Sequence, residues 1–370
     1  MPAAAAPDGD RAAPLESAAR SPLADPEPAP TAASASRFSR QTRFAPFGAK
    51  GQERTAGATV AVVGLGGLGS WIAEHLARAG VGTLRLIDRD LVEASNLPRQ
   101  GLYGDDDARA GRPKAEAAAE RLAAIGGPTR LEPQVAELTR SNIDHLLGGS
   151  TLVMDGLDHF AGRFLLNDWC RRERVSWVYG GAVGGTGAVL RIDGDRGPCL
   201  RCLFPGAATA AGGDTCDTVG VLSPLPALIA SLQCSEALRL IAGDVRAGRL
   251  WQLEPWDGRA LAVDPGPPSP DCATCRREAY PALEPGADEG EVKLCGRDTV
   301  QVAARGGGDL DLSVVAARWT GLGEIERGRF LVRLRQPGLT LSLFRDGRAL
   351  IQGTASLATA RAFYERLVGR

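Results

Sequence analysis

The chain has 370 residues, is 44% hydrophobic and 24% charged, and carries a net charge of −1. That length gives room for a pair of domains, and the near-neutral charge gives no electrostatic case for binding nucleic acid or an anionic membrane. No run of about 18 apolar residues occurs, which argues against a membrane-spanning helix.

Residues 1–36 are Ala, Pro, Ser and acidic residues without periodicity and read as a disordered tail. They have neither the basic start nor the apolar block of a secretory signal, so the expected location is cytoplasmic. In that compartment the eight cysteines call for metal binding or catalysis rather than disulfides. From Arg37 the composition turns globular. The apolar run Thr59–Val63 leads into GLGGLGS (64–70) and then an amphipathic stretch, Trp71–Ala79. This is strand, tight turn, helix, with Gly64, Gly66 and Gly69 at G-x-G-x-x-G spacing and Gly67 among them. Such a turn presents backbone N–H groups and a helix N-terminus to a phosphate.

Further strands are expected at Thr83–Asp88, Thr151–Asp155 and Ser176–Tyr179. Helices are expected between them at Pro113–Ile125, Arg140–Leu147 and Gly162–Arg174. The alternation predicts a parallel sheet with helices on both faces. After Gly181 the pattern changes. Ala188–Ile192 and Arg249–Leu253 read as strands around a longer helix, Ala227–Ile241, and could close the sheet with antiparallel strands. Pro281–Glu291 reads as a linker. In residues 292–370, Phe330–Arg335, Leu339–Phe344 and Ala349–Gln352 read as strands, Arg345-Asp346-Gly347 as a turn and Leu357–Val368 as a closing helix. The expected fold class is α/β: a Rossmann-like sheet, mostly parallel with an antiparallel back half, plus a small C-terminal α+β module. The expected divisions are a 1–36 tail, a 37–280 nucleotide-binding domain, a 281–291 linker and a 292–370 module.

Asp88 stands 19 residues beyond Gly69, in IDRD (87–90) with Asp90. An acid at the end of the second strand commonly holds a ribose hydroxyl, and with these residues alone NAD, FAD and ATP all fit. SNLPRQ (95–100) places Asn96 and Arg99 on the following loop, and Lys114 in GRPKAE opens the next helix. A redox dinucleotide has no general need for these cations, whereas cleaving a phosphate does, because charge builds on the leaving pyrophosphate. Asp155 and Asp158, in VMDGLDHF, end a strand near the same crevice. A carboxylate there could hold Mg²⁺, and the alternative for Asp158 is an N-cap on the next helix. CLRC (199–202) and CATC (272–275) form two CxxC hooks, which supply the four sulfurs of a structural zinc site through Cys199, Cys202, Cys272 and Cys275. Cys170 and Cys234 lie in apolar helical stretches and read as core. Cys216 lies in a Gly- and Thr-rich loop where a nucleophile could be exposed. Cys295 opens the C-terminal module.

With RFSRQ (37–41), GLGGLGS, IDRD, SNLPRQ, GRPKAE, the Asp155/Asp158 pair and both hooks in this order, residues 37 to about 277 resemble the MoeB/ThiF family, bacterial relatives of ubiquitin-activating enzymes. Members adenylate the C-terminal glycine of a small ubiquitin-like sulfur carrier with ATP·Mg²⁺, in thiamine or molybdenum-cofactor biosynthesis. The resemblance implies that Asp88 holds the ribose, that Arg99 and Lys114 bind phosphates, that Asn96 orients the triphosphate and that Asp158 engages Mg²⁺. It implies that Arg40 reaches the partner subunit's nucleotide in a homodimer, that the four hook cysteines bind zinc, and that Cys216 links covalently to the carrier. His159 departs from the family's usual Asn, and Pro98 from a common Gln. The chain lacks the usual catalytic loop of a rhodanese in its C-terminal module. The competing readings are an NAD(P)- or FAD-dependent oxidoreductase, a binding module without chemistry, and same-fold adenylation of a small molecule or tRNA base.

Overall fold

The computed structural model describes residues 37–205, 219–285, 292–293, 299–302 and 310–368. The expected tail, most of the expected linker, Cys216 and Cys295 lie outside the described residues.

The larger sheet has eight strands: β1 (Thr59–Val63), β2 (Thr83–Ile87), β3 (Arg130–Gln134), β4 (Leu152–Asp155), β5 (Ser176–Val183), β6 (Thr186–Ile192), β7 (Leu250–Glu254) and β8 (Arg259–Val263). Their order is β3-β2-β1-β4-β5-β6-β7-β8. Pairs from β3 to β5 are parallel, and those from β5 to β8 are antiparallel. The α/β class with an antiparallel back half is therefore the observed one. β1, TVAVV, is apolar on both faces because both are covered. Val60 and Val62 face a core with Ile72, Leu76 and, from the 225–241 helix, Ile229 and Ala237. Ala61 and Val63 face the opposite core with Leu166, Trp169 and Trp177.

The chain runs β1, β2, β3 outward and then crosses back to lay β4 against the other side of β1. In open α/β sheets such a reversal opens a crevice beyond the carboxyl ends of the strands. The glycine turn leaves β1 at that point.

Two strands depart from the expectation. β3, RLEPQ, contains Pro133, which an edge strand tolerates because one side of it has no partner. β8, RALAV, is apolar at four of five positions, yet as an edge strand it leaves Arg259, Ala260 and Leu261 exposed. β5 also runs on through Gly180 and Gly181 to Val183, where β6 turns back against it.

The second sheet is antiparallel. It comprises β9 (Val292–Lys293), β10 (Thr299–Val302), β11 (Glu324–Arg327), β12 (Leu331–Gln336), β13 (Leu339–Phe344) and β14 (Ala349–Gln352), in the order β11-β12-β13-β14-β10-β9. Helices Leu312–Arg318 and Leu357–Val368 bury Val315, Trp319, Phe363 and Leu367 against Val332, Leu334, Leu341 and Leu343. Asp311 caps the first of these, accepting from the Ser313 N–H at 2.9 Å.

Candidate functional site

The glycine turn is fixed by close backbone approaches. Gly64 has φ +83°, and a Cβ there would lie 2.6 Å from the Gly156 carbonyl oxygen. A Cβ on Gly69 would lie 1.7 Å from the Gly64 oxygen. These glycines let the turn close against the end of β4. Gly66 and Gly67 are different. A Cβ on Gly66 would meet only the Gln100 side chain, at 3.7 Å, and one on Gly67 only Pro226, at 3.4 Å. Neither Cβ would meet backbone within 4 Å. Two polar atoms beside the turn, Ser70 Oγ and Gln100 Oε1, are buried with no partner among the described residues. Buried polar groups are ordinarily hydrogen-bonded. Orphans next to an open glycine backbone fit a nucleotide cradle.

Asp88 lies immediately below. One carboxylate oxygen accepts from the Leu65 N–H at 2.6 Å, the other from the Asp90 N–H at 2.6 Å. Its first structural task is thus to brace the turn. Burial raises its pKa, and Lys114 opposes that rise. Lys114 is buried, with Nζ 3.1 Å from Asp90 Oδ2. A cation therefore stands at the head of helix Lys114–Ile125, next to the predicted ribose acid. Tyr103 donates to the Leu65 carbonyl at 2.8 Å and ties the SNLPRQ segment's exit to the turn.

The SNLPRQ loop packs on the helix after the turn, where the Trp71 indole donates to the Arg99 carbonyl at 3.2 Å. Arg99 is half-buried and donates to the Ser95 carbonyl at 2.8 Å. Asn96 is buried, and its Oδ1 accepts from the Glu93 N–H at 3.3 Å. The structure places Asn96 as a brace of its own loop. Gln100, the last residue of SNLPRQ, carries an orphaned oxygen and was not singled out by the sequence reading. Only its place in that motif signals it.

The two carboxylates after β4 have separate surroundings. Asp155 is fully buried and pairs with Arg163 Nε at 3.0 Å, while accepting from the Leu157 and Gly180 N–H groups. Its bonding is internal. Asp158 is exposed, with no hydrogen bond among the described residues. It does not cap the next helix. His159 does, its Nδ1 accepting from the Gly162 N–H at 3.0 Å. An Asn side chain can make the same bond, which gives a physical reason why His stands here. Arg40 is exposed on the short helix Ser39–Thr42 and touches none of these groups.

The two hooks meet. The Sγ atoms of Cys199, Cys202, Cys272 and Cys275 all lie within 4.8 Å of one another. The closest separations are 3.7 Å for Cys199–Cys272 and Cys202–Cys275, and 4.0 Å for Cys199–Cys202. Tetrahedral zinc with Zn–S bonds of about 2.3 Å sets sulfurs about 3.8 Å apart. The donor set and spacing fit a closed zinc site. Backbone N–H groups of Ser269 and Cys275 point at Cys202 and Cys272 sulfurs, at 3.4 and 3.5 Å. Asp168, buried mid-helix, fastens both hooks. It takes a two-pronged pair from Arg201 at 2.9 and 2.7 Å and a bond from Thr274 at 3.2 Å. The sequence reading placed this residue only in a helix. Cys170 and Cys234 are core, as expected.

The ThiF family pattern matches residues 38–274. The chain belongs to the ThiF family. It is 36% identical over 340 residues to the sulfur carrier protein ThiS adenylyltransferase of Bacillus subtilis (strain 168), covering 90% of this chain and 99% of that protein. It is 38% identical over 250 residues to the SAMP-activating enzyme E1 of Haloferax volcanii, covering 67% of this chain and 91% of the other. Among solved structures, E. coli MccB with ATP superposes with a TM-score of 0.56 at 20% identity, over 66% of this chain and 76% of that one. At that identity the likeness shows the fold. A stretch of 90% of this ThiF-family chain contains residues 38–333 wherever it begins, so the B. subtilis match runs past the larger sheet into β12. Among the described residues, no helix is long and apolar enough to cross a membrane.

Proposed function

We propose that this ThiF-family protein is an adenylyltransferase that uses ATP·Mg²⁺ to activate the C-terminal glycine of a ubiquitin-like sulfur carrier, supporting sulfur transfer in thiamine- or molybdopterin-type cofactor biosynthesis. The observation that carries this reading is the grouping of the open Gly66–Gly67 backbone, orphaned Ser70 and Gln100, the acid Asp88 and the buried cation Lys114 at one crevice. The relatives' activities as sulfur carrier protein and SAMP activators support the choice of substrate.

In this reading the residues 37–280 form the adenylation domain. The glycine turn and the N-terminus of helix Gly69–Ala79 receive the phosphates, Asp88 receives the ribose, and Asp90 with Asn96 holds the surrounding loops. A carrier carboxylate oxygen forms a bond to the α-phosphorus as the bond to the bridging oxygen of the β-phosphate breaks, and pyrophosphate leaves. The carboxylate is already ionised at neutral pH, so no general base is required. Arg99 and Lys114 offset the negative charge that repels attack and that builds on pyrophosphate. Mg²⁺ supplies further charge neutralisation when bound, and Asp158 is the open carboxylate assigned to hold it. Zinc at the four cysteines serves structure, since four protein ligands leave no open position. Arg40, exposed in a single chain, is assigned to the nucleotide site of the partner in a homodimer. Cys216 is assigned to the covalent step with the carrier.

The test is ATP–pyrophosphate exchange with candidate carriers ending in Gly-Gly. Exchange should require the carrier and vanish in Arg99→Ala. Tight NAD binding with no exchange for any carrier would defeat the reading in favour of an oxidoreductase.

A further inference from the structure

The second sheet is fastened to the two segments that carry Asp88, Asp90 and Lys114. Arg333 on β12 is buried, with its side chain 5% exposed. It reaches out of its own sheet to donate to the Ala110 carbonyl at 2.9 Å and the Gly111 carbonyl at 2.7 Å. Those are the last carbonyls of helix Asp105–Ala110 and its cap, which have no partner within the helix. A guanidinium there satisfies them and complements the negative end of the helix. Arg333 is itself held by Ser342 Oγ at 3.1 Å and Glu326 at 2.8 Å.

The chain from this contact to the nucleotide site is short. Gly111 takes φ +55°, and a Cβ there would lie 3.0 Å from the Arg333 guanidinium. Arg112 then accepts from the Val92 N–H at 2.8 Å, and the Lys114 N–H donates to the Asp90 carbonyl at 2.9 Å. From the other direction, Gln301 on β10 donates to Glu137, which pairs with Arg89 beside Asp90. Leu91, the residue after Asp90, is buried among Leu331, Phe344 and Leu350 of the second sheet. Arg348 lies over the Phe344 ring at 3.8 Å in the same junction.

We infer that the C-terminal module is a clamp on the phosphate-binding arm, and that Arg333 is a positioning residue which sets Lys114 for the nucleotide through the Ala110–Pro113 turn. The inference rests on the proposed use of Lys114 as a phosphate ligand. It assigns to the module a part in nucleotide affinity rather than a separate binding surface for the carrier.

The experiment is calorimetric titration of the full chain with MgATP and, separately, with adenosine. The wild-type titration decides the underlying reading: no MgATP binding there ends the nucleotide assignment, whatever the variants do. Given wild-type binding, Arg333→Met should weaken MgATP by about 10-fold, because small displacements of a binding group have large effects. It should leave adenosine within about twofold, since adenosine has no phosphate for Lys114 to hold. Arg333→Lys, which keeps a charged donor at the carbonyls, should recover most of the loss. Unchanged MgATP affinity in folded Arg333→Met, or equal weakening of MgATP and adenosine, overturns the clamp. Should Arg333→Met not fold, Gln301→Leu tests the same arm. MgATP weakening of about threefold supports the clamp, and wild-type affinity in this variant overturns it.

Discussion

Asp155 and Asp158 differ by three positions in sequence and should respond oppositely to the same substitution. Asp155→Asn removes the charge from a pair whose side chains are 0% and 8% exposed. Arg163 stays buried, with Nη2 still donating to the Leu157 and Gly180 carbonyls at 2.6 and 2.8 Å, but without a counter-charge. Breaking a buried pair from one side costs about 3–5 kcal/mol. At roughly 2–4 °C per kcal/mol for a domain of this size, the melting temperature should fall on the order of 10 °C. Asp158→Asn touches an exposed side chain, and its melting temperature should stay within about 2 °C of wild type. Its pyrophosphate exchange should drop on the order of 100-fold if it holds the metal against the phosphates. Thermal melts and exchange assays on both variants give the four numbers. A large melting shift in Asp158→Asn, or none in Asp155→Asn, would refute the division of roles.

Three other outcomes are expected. Purified protein should contain about one zinc per chain by elemental analysis, and Asp168→Asn should weaken zinc retention roughly 10- to 100-fold against a chelator by loosening both hooks. Gly66→Ala should fold with wild-type circular dichroism yet bind MgATP poorly, whereas Gly69→Ala, whose Cβ would meet the Gly64 oxygen at 1.7 Å, should fail to fold; equal behaviour of the two would contradict the open-cradle geometry. His75 has its pKa lowered from 6.5, chiefly by burial. Its share of stability is therefore intact above pH 6.5 and is lost as the pH falls through the lower folded value. His75→Gln should melt with a flatter acid-side profile, and an unchanged slope below that pH would count against it.

The parallel half of the sheet was legible because β1, β2 and β4 are short apolar runs between helical periods, and burial on both faces leaves that signature. β13 and β14 were legible because alternation and a tight turn at Arg345–Gly347 mark them; the structure closes this turn with the Gly347 N–H on the Phe344 carbonyl at 3.0 Å. β10 and β11, TVQV and EIER, were not legible. They are only four residues long, with Val300, Val302 and Ile325 as their apolar positions, and neighbouring strands supply their hydrogen bonds. The site divides in the same way. Glycines, thiolate hooks and the charged set are local signals. Asp168 is not one, because its partners come from residues 201, 274 and 282, distant in sequence. The junction through Arg333 and Gln301 was invisible for the same reason.

Donor counting shows which of the three buried aspartates is left with capacity for a ligand. An ionised carboxylate offers about four acceptor sites. Asp168 accepts from Asn167, Thr274, the Ala282 N–H and both prongs of Arg201, so it is saturated. Asp155 accepts from Arg163 and two backbone N–H groups, one of them at a long 3.4 Å, and is enclosed at 0% exposure. Asp88 accepts from two backbone N–H groups alone and keeps 7% exposure at the edge of the glycine turn. It braces a turn in which a Cβ on Gly66 would meet only the Gln100 side chain. Of the three, only Asp88 combines spare acceptor capacity with residual exposure, as the proposed ribose contact requires. Its raised pKa makes that capacity dependent on the nearby charge of Lys114.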